Sequence, residues 1–386
     1  MKFELLSIKI GNFRSFGEPQ LIPLKASDGK VLGFFGQNSA GKSNAIKAIS
    51  VFKTMVIHSG DAGQRPIYDP FSLSQPRTPT LLEIEVTDGS DSYLYGFTFT
   101  DVRIVSEFLK EKSKNTKKYR TIFERKDRQI INTGAANYGF GTKLVERTLS
   151  KTLLITKAYE DNNKFAKIIF EVAERILIMT IDSQEVEKYA LKSLAEDARI
   201  RKKTIMALKD IDGGIVDFQT KKRKIPRELV ESLPVADEVK NELLNSTRFE
   251  LEIKKKYGNR TLSLDVSEES SGFKTLISVL TVVFKAVYDN RILFIDEFGV
   301  YIHPFVAKTI VSAYENSNTN ATLVICTHLM GLYFSIPRID RILFRKSNNT
   351  GETVTERMKA VRSVRRIRHD EMEAENNFGN KITITE

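Results

Sequence analysis

Gly36-Gln37-Asn38-Ser39-Ala40-Gly41-Lys42-Ser43 is the stretch whose reading decides the fold. An apolar run from Lys30 to Phe35 leads into it, and a helical pattern follows to about Met55. Glycine, four residues and Gly-Lys-Ser between a strand and a helix is the pattern of a phosphate-binding loop. Its glycines let the backbone curl until successive N–H groups point inward, and the helix adds the positive end of its dipole. Gly36, Asn38, Ser39, Ala40 and Gly41 are therefore expected to cradle phosphates. Lys42 is expected to reach the β- and γ-phosphates of ATP, and the Ser43 hydroxyl to ligand Mg²⁺.

Arg291-Ile292-Leu293-Phe294-Ile295-Asp296-Glu297 reads as the second half of such a site. A buried strand delivers Asp296 to its carboxyl end, where a carboxylate holds Mg²⁺ through water. Glu297 follows at once and is suited to orient or deprotonate an attacking water. Thr322 to Cys326 is another apolar strand and ends in Thr327-His328. His328, one strand-helix unit beyond the acidic pair, is expected to sense or polarise the γ-phosphate end of the nucleotide. Acids or a histidine at a strand end are commonplace alone; the phosphate loop gives both their meaning. His303, before Pro304, reads as a helix-start residue, and His58 and His369 have no spaced partners. One cysteine and four scattered histidines make no zinc constellation. No Ser-His-Asp set stands out by spacing.

Ser267-Glu268-Glu269-Ser270-Ser271-Gly272-Phe273-Lys274-Thr275-Leu276 admits two readings. Ser-Ser-Gly is a turn or a cap before the helix at 272–287. It is also a second helix N-terminus offering N–H groups and hydroxyls to an anion. One chain already has its phosphate loop, so a second such element points to the γ-phosphate of a nucleotide held by another subunit.

Alternation marks strands at Phe3–Ile10, Leu82–Val86 and Tyr93–Thr100, the last two around the hairpin signal Thr87-Asp88-Gly89-Ser90-Asp91. Another pair is expected at Tyr119–Phe123 and Gln129–Asn132. The middle turns to helical period: Phe165, Ile168, Ile169, Val172 and Ile176 share one face, and Tyr189, Leu191, Leu194 and Ala198 mark the next helix. Strands return at Phe249–Ile253, Ile292–Ile295, Thr322–Cys326 and Arg341–Phe344, with helices at 272–287 and 304–314. Short apolar strands alternating with helices indicate an α/β fold with a mostly parallel sheet covered on both faces. The expected organisation is a lobe over 1–140, a helical insertion over 141–248 and a second lobe over 249–386.

Apolar residues make up 41% and charged residues 28% of the 386, the profile of a globular protein rather than a disordered one. The start alternates like a strand instead of resembling a signal peptide. The longest apolar stretch, Ile277–Tyr288, is interrupted by Lys285 and is too short to span a bilayer, so no membrane partner is expected. The single cysteine, Cys326, permits no disulfide within the chain and fits a cytoplasmic location. The net charge of +11 concentrates at Lys112–Lys118, Arg201–Lys203, Lys221–Lys224, Lys254–Lys256 and in Arg362, Arg365, Arg366 and Arg368. Those runs fit nucleic-acid contact, a protein partner or simple solvation, and alone decide nothing.

Phosphate loop, Ser-Ser-Gly, Asp-Glu strand and Thr-His strand occur in the order that resembles ABC-type ATPase heads of the SMC, Rad50 and RecF kind. Asn12-Phe13-Arg14-Ser15-Phe16 looks like their first strand and turn, and Gly41-Lys42-Ser43-Asn44 like their loop ending. Pro70-Phe71, Tyr95-Gly96-Phe97, Ser106-Glu107-Phe108-Leu109, Phe123-Glu124-Arg125, Ile302-His303-Pro304, Val364–Arg368 and Asn377-Phe378-Gly379 are similar to the AAA15 group of stand-alone bacterial ATPases. That group includes AbiL, RloA and the ATPase of the PARIS system, linked to anti-phage defence.

The resemblance implies an ABC-type P-loop head with an N-terminal antiparallel β subdomain. It implies ATP with Mg²⁺ sandwiched between Lys42 of one subunit and Ser270, Ser271 and Gly272 of the next, with Asn44 among the nucleotide contacts. A homodimer or higher homo-oligomer follows. The chain departs from transporter heads in reading Ser270-Ser271-Gly272-Phe273 where they carry Ser-Gly-Gly-Gln. The stretch after His328 leaves no room for a nuclease domain, so a nuclease or toxin effector is expected as a separate protein under the control of this ATPase. The alternative is a RecF- or Rad50-like ATPase that clamps DNA in repair or recombination.

Overall fold

Thr80-Leu81-Leu82-Glu83-Ile84-Glu85-Val86-Thr87 alternates buried and half-buried residues along its whole length, the period of a strand with one face on a core. It belongs to a sheet made of β1 (Glu4–Gly11), β2 (Gln20–Pro23), β4 (Thr80–Thr87), β5 (Ser92–Phe99), β6 (Ile104–Lys112), β7 (Arg120–Lys126) and β8 (Gln129–Ile130). The order is β2-β1-β4-β5-β6-β7-β8, antiparallel throughout. The turn between β4 and β5 closes on Asp88, whose carboxylate accepts from the N–H groups of Ser90 (2.8 Å) and Asp91 (2.7 Å). The computed structural model describes residues 3–27, 29–61, 63–115, 118–132, 134–181, 184–224, 226–245, 247–300, 302–316 and 320–359. The arginines at 362, 365, 366 and 368, His369 and the segments 364–368 and 377–379 lie outside them.

A second sheet carries the strands that read as continuous apolar runs. β3 (Val31–Phe35), β13 (Ile292–Asp296), β14 (Thr322–Cys326) and β15 (Arg341–Lys346) lie parallel in the order β15-β3-β14-β13. β16 (Thr353–Arg357) adds antiparallel to β15, and β9 (Ile176–Thr180) is the far edge. Burial on both faces is why these strands lack alternation: all five residues of β3 are buried. Helix α1 (Lys42–His58) buries Ala45, Ile46, Ile49, Phe52, Met55 and Val56, too wide an apolar arc for a surface helix. Its Phe52 ring meets Tyr95 and Phe97 of the antiparallel sheet. α2 (Thr142–Glu146), α3 (Leu154–Glu160) and α4 (Lys164–Arg175) complete the same core.

The chain divides into two compact units that follow other lines than boundaries at 140 and 248. The first takes residues up to Ile178, Ile292–Glu297 and Val311 onward; the second takes Met179–Arg291 and Phe298–Ile310. The expected helical insertion is only partly helical. α2, α3 and α4 belong to the first unit, and Ile176, placed on a helix face by its spacing, begins β9. The second unit holds α5 (Gln184–Glu196), α6 (Ala198–Ile211), α7 (Arg227–Glu231), α8 (Asp237–Asn245) and α9 (Ser271–Tyr288). It also holds a three-stranded antiparallel sheet, β10 (Ile215–Lys224), β11 (Thr247–Tyr257) and β12 (Arg260–Asp265). α10 (Pro304–Glu315) and α11 (Met330–Ser335) match the α/β alternation of the C-terminal part. α9 starts one residue before the expected helix and six before the apolar stretch Ile277–Tyr288, so by length and composition it can cross a bilayer; more than half of it is buried inside the protein.

One ion pair ties the antiparallel sheet to its helices. Glu107 and Arg125 are buried, the arginine 1% exposed. Glu107 accepts from Arg125 Nε (2.9 Å), the Tyr95 hydroxyl (2.9 Å) and the N–H groups of Leu154 (2.7 Å) and Ile155 (2.9 Å). The carboxylate thus sits at the N-terminus of α3, where the helix dipole favours it. Arg125 Nη2 completes the network on the Thr152 carbonyl at 2.8 Å. Burial, then the adjacent Glu107, pushes the Tyr95 hydroxyl pKa far up, so it stays a donor. Removing one member strands a buried charge. Arg125→Ala is expected to cost about 3–5 kcal/mol in urea unfolding followed by circular dichroism; a loss below about 1 kcal/mol would show that the pair is dispensable.

Candidate functional site

The link from β3 to α1 is a tight curl. Gly36 takes φ 149°, Ser39 62° and Gly41 109°, a left-handed series that glycine and a short polar residue tolerate. A Cβ on Gly36 would lie 2.2 Å from the Phe344 carbonyl oxygen, and one on Gly41 would lie 2.1 Å from Thr353 Oγ1. Inside the curl the Lys42 ammonium donates to the carbonyls of Gly36 (2.8 Å) and Gln37 (2.9 Å), with the residue only 6% exposed. Burial pulls its pKa below the ordinary lysine value, and nearby Cys326 and Asp296 oppose that shift.

Loop residues 38–44 line a cavity of about 190 Å³ together with Asp296, Glu297, Cys326 and His328. The fold explains the convergence: β3, β13 and β14 are adjacent and parallel, so their carboxyl ends open on one side. Asp296 is the last residue of β13, and Glu297 turns away from the strand with φ 56°, its N–H donating to Asp296 Oδ1 at 3.1 Å. Cys326 ends β14; its thiol pKa is pushed far up by burial first and by the Asp296 carboxylate second. His328 lies at the rim with much of its ring exposed. Loss of water on its inner side, then the Lys42 charge, lowers its pKa below the usual histidine value, against an upward pull from Asp296.

All the residues read as phosphate, magnesium and water contacts from 38 to 44, with Asp296, Glu297 and His328, therefore share one cavity. Gly36 takes part through its carbonyl. The Asn44 side chain faces the cavity but is also held, accepting from Arg14 Nη1 (3.2 Å) and donating to Ser15 Oγ (2.7 Å). Ser270, Ser271 and Gly272 belong to the second unit, where Ser270 caps α9 by accepting from the Phe273 N–H at 3.3 Å. Sequence reasoning missed Cys326, whose place at the end of an apolar strand was the available signal. It also missed Thr353, which no pattern links to a loop some three hundred residues earlier.

The residues fit a magnesium nucleotide. The backbone comes close enough at Gly36 and Gly41 that no side chain would fit. A buried cation rests on carbonyls that a phosphate oxygen can replace, and a hydroxyl and two carboxylates stand beside it. A second cavity in the same unit, about 590 Å³, is lined by Asn12, Glu18, Phe71, Leu73, Glu352 and neighbouring residues, and carries no basic group for phosphate.

The His328 shift has a pH consequence. A depressed histidine pKa means that the folded chain binds fewer protons than the unfolded chain near pH 6. The stability this residue contributes is thus present above its unfolded pKa and lost as pH falls below it. His328 is expected to titrate below 6.5 in imidazole NMR, assigned by the missing signal in His328→Gln. A midpoint at or above 6.5 would contradict this electrostatic account of the rim.

No curated protein matches the chain in sequence. Among solved structures it is similar to the SMC head domain from Thermotoga maritima, with 14% identity, a TM-score of 0.45, and coverage of 92% of this chain and 100% of that one. It is similar to an Smc head bound to the C-winged helix domain of ScpA, with 12% identity, a TM-score of 0.49, and 92% and 98% covered. An Smc head with an extended coiled coil, bound to the C-terminal domain of ScpA derived from Pyrococcus furiosus, gives 12%, 0.42, and 96% and 99%. Residues 31–333, most of the chain, match the family described as "AAA domain, putative AbiEii toxin, Type IV TA system", and the chain belongs to that family.

Proposed function

We propose that the chain is an ABC-type ATPase that binds and hydrolyses ATP and acts as the sensor or regulatory subunit of a bacterial anti-phage defence system. In this reading, ATP-dependent assembly controls a separate toxic effector. The observation that carries the ATPase part is the convergence of Lys42, Ser43, Asp296, Glu297 and His328 on one cavity at the carboxyl ends of three adjacent strands.

The chemistry follows from what each group can do. Lys42 exchanges its carbonyl partners for phosphate oxygens, and the loop N–H groups hold the rest of the triphosphate. Ser43 and Asp296 would hold Mg²⁺, which when bound neutralises charge on the β- and γ-oxygens. Glu297 takes a proton from water as the water oxygen bonds to the γ-phosphorus. The bond from that phosphorus to the β–γ bridging oxygen breaks, ADP leaves with the electron pair, and phosphate is the other product. Neutral His328 keeps an N–H to donate to the γ-phosphate.

Two features support a composite site closed by another copy. The cavity of about 190 Å³ is smaller than the roughly 300–1,000 Å³ of a complete small-molecule pocket. Glu297 is exposed, whereas a closed site holds the one attacking water and excludes bulk water. Ser270, Ser271 and Gly272 at the start of α9 are the proposed partner surface for the γ-phosphate of the neighbouring copy. The defence role draws support from the family's own description and from the resemblance to AbiL, RloA and PARIS-type ATPases.

The charge of +11 favours a second reading, a DNA-clamping ATPase. Among the described residues, however, some members of its basic runs are neutralised by carboxylates. Lys221 pairs with Glu252 across β10 and β11, and Lys255 pairs with Glu269 at 2.8 Å and Asp212 at 3.7 Å. ATP-dependent DNA affinity that falls steeply with salt would favour the clamp; co-purification with one effector protein favours the regulator.

Lys42→Ala is expected to abolish MgATP binding in calorimetry, and retained turnover in that variant would refute the site. Glu297→Gln should bind ATP, turn it over at least a hundredfold more slowly and accumulate an assembled form in sizing chromatography. An unchanged elution position with ATP would overturn trans closure while leaving the ATPase reading intact.

A further inference from the structure

Thr353, on β16, lies 1% exposed against the phosphate loop, far from it in sequence. Its hydroxyl oxygen is 2.9 Å from the Ala40 carbonyl oxygen and 2.8 Å from Ser15 Oγ. Ser15 Oγ in turn accepts from Asn44 Nδ2 at 2.7 Å. A hydroxyl has one proton. The Ala40 carbonyl can only accept, so Thr353 gives its proton to that carbonyl, and Ser15 gives its own to Thr353. The result is a directed chain from Asn44 through Ser15 and Thr353 to the loop backbone. The Thr353 N–H also donates to the Ser15 carbonyl at 2.7 Å, which locks β16 to the turn carrying Ser15.

We infer that Thr353 is a positioning residue for nucleotide binding: by holding the Ala40 carbonyl outward it aims the Gly41 N–H into the phosphate cradle. The reason lies in the peptide unit. The Ala40–Gly41 peptide is planar and trans, so its C=O and N–H point in opposite directions. Fixing the oxygen on Thr353 therefore fixes the direction of the Gly41 N–H. Gly41 needs that restraint most, because a glycine at φ 109° with no Cβ has the widest range of other conformations. The same hydroxyl fills the space where a Gly41 side chain would stand. Thr353 itself touches no ligand; it is absent from the lining of the cavity.

This inference rests on the nucleotide reading above. The test uses the full chain and MgATP or MgADP as titrant in calorimetry, beside the melting temperature without nucleotide. Thr353→Val keeps the shape and removes the proton; it should weaken both nucleotides about tenfold, the worth of one well-made hydrogen bond. KM for ATP should rise with kcat nearly unchanged, and Thr353→Ser should restore wild-type affinity. Ser15→Ala, which cuts the chain one link earlier, should weaken binding in the same direction and add little on top of Thr353→Val. Wild-type affinity in Thr353→Val overturns the inference alone. So does an equal loss in Thr353→Ser with a lowered melting temperature, since bulk rather than the proton would then matter. Should Thr353→Val not fold, wild-type affinity in Ser15→Ala overturns it. A wild-type chain that binds no MgATP would sink the nucleotide reading, and this inference with it.

Discussion

An ammonium group removed from water must be satisfied where it lands, and Lys42 sets that condition for the whole first unit. Its carbonyl partners, Gly36 and Gln37, lie only a few residues earlier, so the backbone must double back between them. Positive φ torsions at Gly36, Ser39 and Gly41 make that turn. Gly36 also lies so close to the Phe344 carbonyl, where β15 runs past the end of β3, that a side chain there would clash. The end of β3, the start of α1 and the mouth of the cavity thus meet at one desolvated charge. Burial lowers its pKa, and the nearby Cys326 and Asp296 oppose that shift.

What was readable in the sequence followed from how simply each segment is buried. β14 was legible to the residue because both its faces are covered, and the middle of β4, Leu82–Val86, because only one of its faces is. β6 escaped because Glu107 occupies a position on its buried face, breaking the alternation that would have shown the strand. Its burial makes sense only with Arg125, Tyr95 and the α3 N–H groups around it, none of which is local. β10 escaped for another reason. Ile215 and Phe218 are its buried anchors, and the rest, through Lys224, is a charged extension paired with β11. A charge run next to a turn reads as loop; only the partner strand makes it β. At the site, the contacts local to a motif were visible and the supports were not. Ser15 and Thr353 act through hydroxyls whose partners come from opposite ends of the chain.

The same contrast separates the two units. In the first, the side chains that line the candidate site stand on or beside strand ends and a helix start packed into one large apolar cluster, which suits groups that must keep a fixed geometry. In the second, the sheet of β10, β11 and β12 is rich in charged residues that are exposed or half-buried, and two of its lysines, Lys221 and Lys255, pair with carboxylates. Lys255 shows how far the balance goes. Its ammonium lies between Glu269 and Asp212 and over the Phe273 ring at 5.0 Å, and its pKa is raised chiefly by the bond to Glu269. A lysine so committed is a brace for the segment leading into α9, not a free cation for phosphate.

Asp296 and Glu297 present a geometric problem that the backbone solves. Successive side chains on a strand point to opposite faces, so two adjacent carboxylates at a strand end should not serve one cavity. Both line it here. The resolution is the φ of 56° at Glu297, which breaks the strand's alternation immediately after Asp296 and swings the second carboxylate back to the same side. A glutamate in that region carries strain of about 1–3 kcal/mol, and such strain persists only where the surroundings over-determine it. The Asp296 carboxylate helps to hold it by accepting the Glu297 N–H. One residue thereby helps to hold the backbone of the next, and the two differ in surroundings: Asp296 is half-buried and its charge acts on Lys42, whereas Glu297 is exposed.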